Sequence, residues 1–270
     1  MIFLRKLLAF LKRDFLINSS YRLSFLLDFI SIFASVATFF FVSKLFGEGA
    51  SKYLEEFGGD YFSFVLIGLA FSGYLSAALS SFSQVIHYEQ SEGTLEILLM
   101  SPTSIGTILL LGAVWNFFFV SLRVMVYLFL GWLIFGFNLS KINLISSLVI
   151  LLLTILSFSA LGVLSASFIL VFKRGNPINW VLNGISRFLG GVYFPIKVLP
   201  QVLQKISYLL PITYALRGMR KSIAMGASLK EVKVEIACLT LFFLILLPIA
   251  ILSFKLALRQ AKKHGSLLYS

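Results

Sequence analysis

Six runs of apolar residues, at about 23–46, 61–86, 106–136, 143–172, 177–193 and 236–258, organise this 270-residue chain. An α-helix needs about 20 such residues to cross the hydrocarbon core of a bilayer, so the runs read as six membrane helices. Six spans use roughly 120 residues and leave about 150 for connectors and ends, whereas twelve would not fit. Composition agrees: 59% apolar, 13% charged and a mean hydropathy of +0.97 exclude an ordinary soluble domain. The net charge of +12 calls for an anionic surface, and the apolar background selects phospholipid headgroups over nucleic acid. Cys238 is the one cysteine, which excludes an internal disulfide and a multi-cysteine metal site.

The chain contains no Gly-Lys pair, so the phosphate-cradling loop G-x-x-x-x-G-K-[ST] is missing from it. Its two histidines, His87 and His264, fall outside the apolar runs, which leaves neither an H-E-x-x-H zinc site nor a buried histidine relay. Ionisable residues within the runs are few, with Asp28, Arg123 and Arg187 the clear cases. A proton-coupled carrier normally holds several acidic groups at depth, and one Asp near the end of a span is thin support for that class.

Met1 to Asn18 is not a secretory signal, because Lys6, Lys12 and Arg13 interrupt the apolar stretch. At 100° per residue, Arg5, Lys6, Lys12 and Arg13 share one sector, and Phe3, Leu4, Leu7, Leu8, Phe10, Leu11 and Phe15 the other. This is an amphipathic helix lying in the membrane interface. The basic residues Arg5, Lys6, Lys12, Arg13 and Arg22 place the N-terminus in the cytoplasm, and an even span count returns Lys255, Arg259, Lys262 and Lys263 to the same side. The remaining loops fit less well. Residues 87–106 would be cytoplasmic without any Lys or Arg, and 197–233 external with seven. Were 194–216 a crossing, Arg217, Arg220 and Lys221 would become cytoplasmic; against this, Pro195, Pro200 and Pro211 break the segment too often for a lipid-exposed helix.

The connector Tyr88 to Pro102 is polar and longer than a turn requires. Gly93 permits a tight turn, Ser91 or Thr94 can cap, and Pro102 turns Ser101 away from helical geometry, which predicts a two-turn helix over 94–100. Leu95, Leu98 and Leu99 fall on one side, Glu92 and Glu96 on the other. The connector is either a capped interfacial segment or a docking helix whose acids suit Lys and Arg on a cytoplasmic partner.

Two motifs are specific. E-x-x-x-G-T-L-E-x-L-L-x-S-P, from Glu89 to Pro102 after a span, resembles the cytoplasmic loop of ABC-2 type transporter permeases. Gly190-Gly191-Val192-Tyr193-Phe194-Pro195, Leu199-Pro200 and Leu210-Pro211-Ile212-Thr213-Tyr214 are similar to that family's F-P-x-x-x-L-P and L-P-x-T-Y after the fifth span. With the basic amphipathic start and six runs, the likeness covers nearly the whole chain.

The resemblance implies an all-α integral membrane protein. Its parts are an interface helix over 1–22, a transmembrane domain over 23–258 and a cytoplasmic tail over 259–270. It implies a transport subunit without its own ATPase site or cofactor, which pairs with a second permease copy, as a homodimer, and with an ATP-binding cassette subunit that holds ATP and Mg. Residues 87–106 would be the coupling loop, with Glu89, Glu92, Gly93, Thr94, Leu95, Glu96, Leu98 and Pro102 carrying nucleotide-driven motion. Residues 194–235 would fold as external re-entrant helices, a gate shaped by Phe194, Pro195, Pro200, Pro211 and Tyr214. The setting is the cell membrane of a prokaryote. The substrate is read as a drug or lipid-like molecule, with lipid-linked polysaccharide as the alternative within the family and a nucleotide-independent channel or carrier outside it.

Arg123 and Arg187 are the candidate pathway residues. Arg123 lies near the middle of its run, where a charge requires a partner or a water-lined cavity. Asp28 is a conceivable partner, although a headgroup-depth place beside Arg22 is preferred for it. Arg187 would line the pathway or bind lipid phosphate. The small residues Gly68, Gly73, Ser76, Ala77, Ala78 and Ser80 mark the second run for close helix packing.

Overall fold

A computed structural model describes residues 22–46, 51–91, 105–172 and 177–263, with the single positions 8, 12, 15, 16, 49, 97 and 100. The described residues are predominantly helical and contain no strand. The main helices are α1 (Arg22–Phe46), α2 (Tyr61–Ser91), α3 (Ile105–Phe135), α4 (Leu144–Phe172), α5 (Pro177–Leu189), α6 (Gln201–Ser207), α7 (Pro211–Ala224) and α8 (Lys233–Lys263). Five of them, α1 to α4 and α8, are long and apolar enough to cross a membrane.

Local chemistry sets the ends. The Asp60 carboxylate accepts the backbone N–H groups of Phe62 (3.2 Å) and Ser63 (2.9 Å), capping α2. Asn143 does the same for α4 through the N–H of Ser146 (3.1 Å). Gly136, at φ 75°, turns the chain off α3. The centre is α2: 78% of its apolar window is buried, against 11% for α1 and for α8. A side chain at Gly162 of α4 would run into the Ala78 carbonyl of α2, so the two helices touch through their smallest residues, as the composition of the second run predicts. The Leu, Phe and Ile residues left exposed along α1, α3 and α8 form the outer surface of the bundle.

Side-chain contacts fix the directions. In α1 and α3, Asp28 meets Arg123 and Phe40 meets Phe135, so these helices run parallel. In α4 and α8, Ser157 donates to the Leu239 carbonyl, and Ala166 and Leu170 cluster with Phe254, so these are parallel too. Between them α5 runs against α2: Asn179 reaches the Leu79 carbonyl, Asn183 accepts from Ser76, and further along the Tyr61 hydroxyl donates to the Tyr193 carbonyl. The chain over 179–193 therefore returns along most of α2.

The fifth run departs from expectation. Its helix has only 13 residues, about 20 Å of rise against the ~30 Å hydrocarbon core, and Gly191 at φ 76° ends the turn that follows it. Along it runs a polar stripe: Asn179, Asn183 and Arg187 recur every four residues and face the serines of α2. The sequence 194–216 is likewise not one continuous helix. After Ile196–Val198 the chain enters α6, turns at Leu209 and Leu210 against Leu161, Leu182 and Phe242, and leaves along α7, whose far end meets Asn143. The helices α6 and α7 thus form a hairpin whose turn packs beside α4, α5 and α8. At the N-terminus, Leu8, Lys12, Phe15 and Leu16 are helical, and the Phe15 ring meets Trp115 of α3 edge-on at 6.2 Å.

Candidate functional site

Each proline of the hairpin begins a helical segment instead of ending one. Pro195 precedes the turn Ile196–Val198, Pro200 caps α6, and Pro211 is the first residue of α7, positions where a fixed φ and a missing N–H cost nothing. The hairpin is stapled internally: the Tyr214 hydroxyl donates to the Tyr208 carbonyl (3.0 Å) and Thr213 to that of Ser207 (2.6 Å). Phe194 packs edge-on against Phe188 of α5 at 5.1 Å, tying the approach segment to the short helix. Pro200, Pro211 and Tyr214 thus belong to the hairpin, and Phe194 and Pro195 to the segment that leads into it.

Over its mouth lies a charged network that the sequence reading did not isolate. Glu56, in the connector before α2, pairs with Lys197 (3.1 Å), with Arg217 and with Lys221 (3.7 Å). Glu235, 1% exposed at the start of α8, pairs with Lys221 (2.8 Å) and with Arg217 (3.2 Å). Two acids therefore join three cations from four separate segments. The cavity between Glu56, Lys197, Tyr208, Thr213 and Arg217 measures about 40 Å³, room for water and not for a substrate. Burial raises the Glu56 pKa, but the Lys197 hydrogen bond and the Arg217 charge outweigh it, and the carboxyl sits below its ordinary value of 4.5. With the folded pKa depressed, the stabilising contribution is complete above pH 4.5 and is lost as pH falls through the lower folded value. Protection against hydrogen exchange across 196–224, taken relative to the intrinsic exchange rate at each pH, should thus be unchanged from pH 7 to 5 and fall only below that window, whereas Glu56→Gln should be less protected throughout that range.

Arg220 lies beneath this network, 3% exposed. Its guanidinium donates to the carbonyls of Phe64 (3.0 Å), Gly191 (2.8 Å) and Val192 (3.2 Å), and stacks 3.4 Å from the centroid of the Phe64 ring. One side chain thereby joins α7, α2 and the Gly190–Gly191 turn. Four of the seven basic residues over 197–233, namely Lys197, Arg217, Arg220 and Lys221, are thus engaged structurally, which accounts for a basic stretch that charge counting alone could not place.

Arg123 donates to Asp28 at 2.5 Å and lies 5.2 Å from the Phe119 ring. Asp28 thus pairs with Arg123 and not at headgroup depth with Arg22. Arg187 is different, with one long contact to the Ser76 hydroxyl at 3.5 Å and a buried Nε that meets no hydrogen-bond acceptor. Of the coupling residues, Glu92, Gly93, Thr94, Leu95, Glu96, Leu98 and Pro102 lie outside the described residues, and Glu89 is described only as part of the backbone of α2.

A helical bundle with five helices suited to crossing a bilayer is a multi-pass membrane protein. The chain belongs to the ABC-2 type transporter family, whose model matches residues 5–224. Members of that family are the membrane components of ABC transporters and normally partner with an ATP-binding cassette subunit. No curated protein matches the chain.

Proposed function

We propose that this chain is the permease subunit of an ABC exporter, that it pairs with a second copy of itself, and that ATP hydrolysis on a separate cassette subunit drives it. The family match over 5–224 carries the reading. In it, Glu89, Glu92, Gly93, Thr94, Leu95, Glu96, Leu98 and Pro102 seat the cassette, and the hairpin of α6 and α7 closes the external end of the pathway. The small cavity beneath Glu56 and Arg217 is consistent with a closed gate. The substrate is a drug or lipid-like molecule, with lipid-linked polysaccharide as the alternative.

The directions of the helices support six crossings. If α1, α3 and the 177–193 segment ascend while α2, α4 and α8 descend, both termini share one face, and the basic N-terminal residues make that face cytoplasmic in a prokaryotic cell membrane. Inside-out vesicles carrying the complex should accumulate substrate only with ATP, and an impermeant maleimide should label Ser228→Cys, in a Cys238→Ser background, only in right-side-out vesicles. Equal flux in ATP-depleted vesicles would instead favour a nucleotide-independent channel or carrier, and labelling in the inside-out vesicles would reverse the topology.

A further inference from the structure

Three arginines lie within the bundle, and their surroundings differ. Arg123 has Asp28, and Arg220 has three carbonyls and an aromatic face. Arg187 has a hydroxyl at 3.5 Å and a buried, unsatisfied Nε, and no carboxylate pairs with it among the described residues. Its contact Ser76 is about 22 Å along α2 from Tyr61 and about 14 Å from Val85, so the guanidinium belongs to the interior of the span. An isolated cation at that depth is costly unless something anionic or aqueous reaches it. It faces a groove of about 540 Å³ along α5, lined by Ser76, Asn183 and Arg187 together with Trp180, Val181 and Ile185. Trp180, which also lines it, is 80% exposed.

We propose that this groove binds an amphiphile by its anionic headgroup, with a phosphate-type anion on Arg187 and Ser76 and the apolar tail along Trp180, Val181 and Ile185. A guanidinium matches such an anion with two parallel N–H donors. The inference rests on the membrane-permease reading and gives its substrate a class, that of anionic lipid-like molecules. Three tryptophans, Trp115, Trp132 and Trp180, occur in the chain, so Trp115→Phe with Trp132→Phe leaves Trp180 as the reporter. Quenching of that fluorescence in nanodiscs by brominated phosphatidylglycerol should exceed quenching by brominated phosphatidylcholine, with an affinity ratio of about tenfold, the size of one charge-assisted contact. Arg187→Gln should abolish the ratio and Arg187→Lys should retain part of it. Loss of the preference on adding inorganic phosphate would assign the anion site to a soluble phosphate, and persistence would assign it to the lipid headgroup; both sustain an anion site. Equal quenching by the two lipids, or a ratio unchanged in Arg187→Gln, overturns the proposal. The readout needs neither ATP nor a partner, so its failure leaves the transporter assignment untouched.

Discussion

Arg220→Met should be among the most destabilising single substitutions in this chain outside the glycine contacts. Methionine fills much of the volume but donates nothing, so the carbonyls of Phe64, Gly191 and Val192 lose a buried partner and the Phe64 ring loses its cation. Stranding buried acceptors costs about 1–3 kcal/mol each where no water replaces the donor, and partial relaxation makes a total of roughly 3 kcal/mol reasonable. For a chain of this size that is a fall of about 5–10 °C in melting temperature. Arg220→Lys should recover only part of the loss, because a point charge cannot span three carbonyls and stack at once. Thermal unfolding in detergent checks both variants; a methionine variant that melts with wild type would show that the turn at Gly190–Gly191 is held by other contacts.

Glu92→Arg is expected to have the largest effect on activity. Insertion depends on the spans, which the substitution does not touch, while a cassette surface rich in Lys and Arg would meet a reversed charge at the docking segment. Transport should fall by about a hundredfold or more, the scale on which a repulsive contact replaces an attractive one at an interface. Gly93→Pro should do the same by blocking the tight turn. Membrane levels and thermal stability should remain those of wild type in both. Wild-type transport by either variant would remove the case for residues 87–106 as the coupling loop.

What the sequence made legible follows from the range of its physical signals. Long apolar runs report span existence directly, and five of the six became helices able to cross a bilayer. The fifth run gives a helix of only 13 residues because an apolar window averages over Gly190 and Gly191, where the chain turns, and over the polar Asn179, Asn183 and Arg187. The prolines of 195–211 were read correctly as discontinuities, yet their role as helix starters depends on the residues that follow. The network at the hairpin mouth was beyond reach. Glu56 and Arg217 lie 161 positions apart, and nothing local marks either as the partner of the other. Glu235 gives a faint signal, an acid at the threshold of an apolar run, which in retrospect calls for a buried cation.

The central claim is that this permease works through a separate ATPase. Affinity purification of the tagged chain from native membranes, with mass spectrometry of the co-eluting proteins and an ATPase assay, tests it most directly. The account predicts an ATP-binding cassette protein that co-elutes with wild type, hydrolyses ATP, and is lost or uncoupled with Glu92→Arg. Absence of any such protein, under conditions that keep a known transporter complex intact, would contradict it.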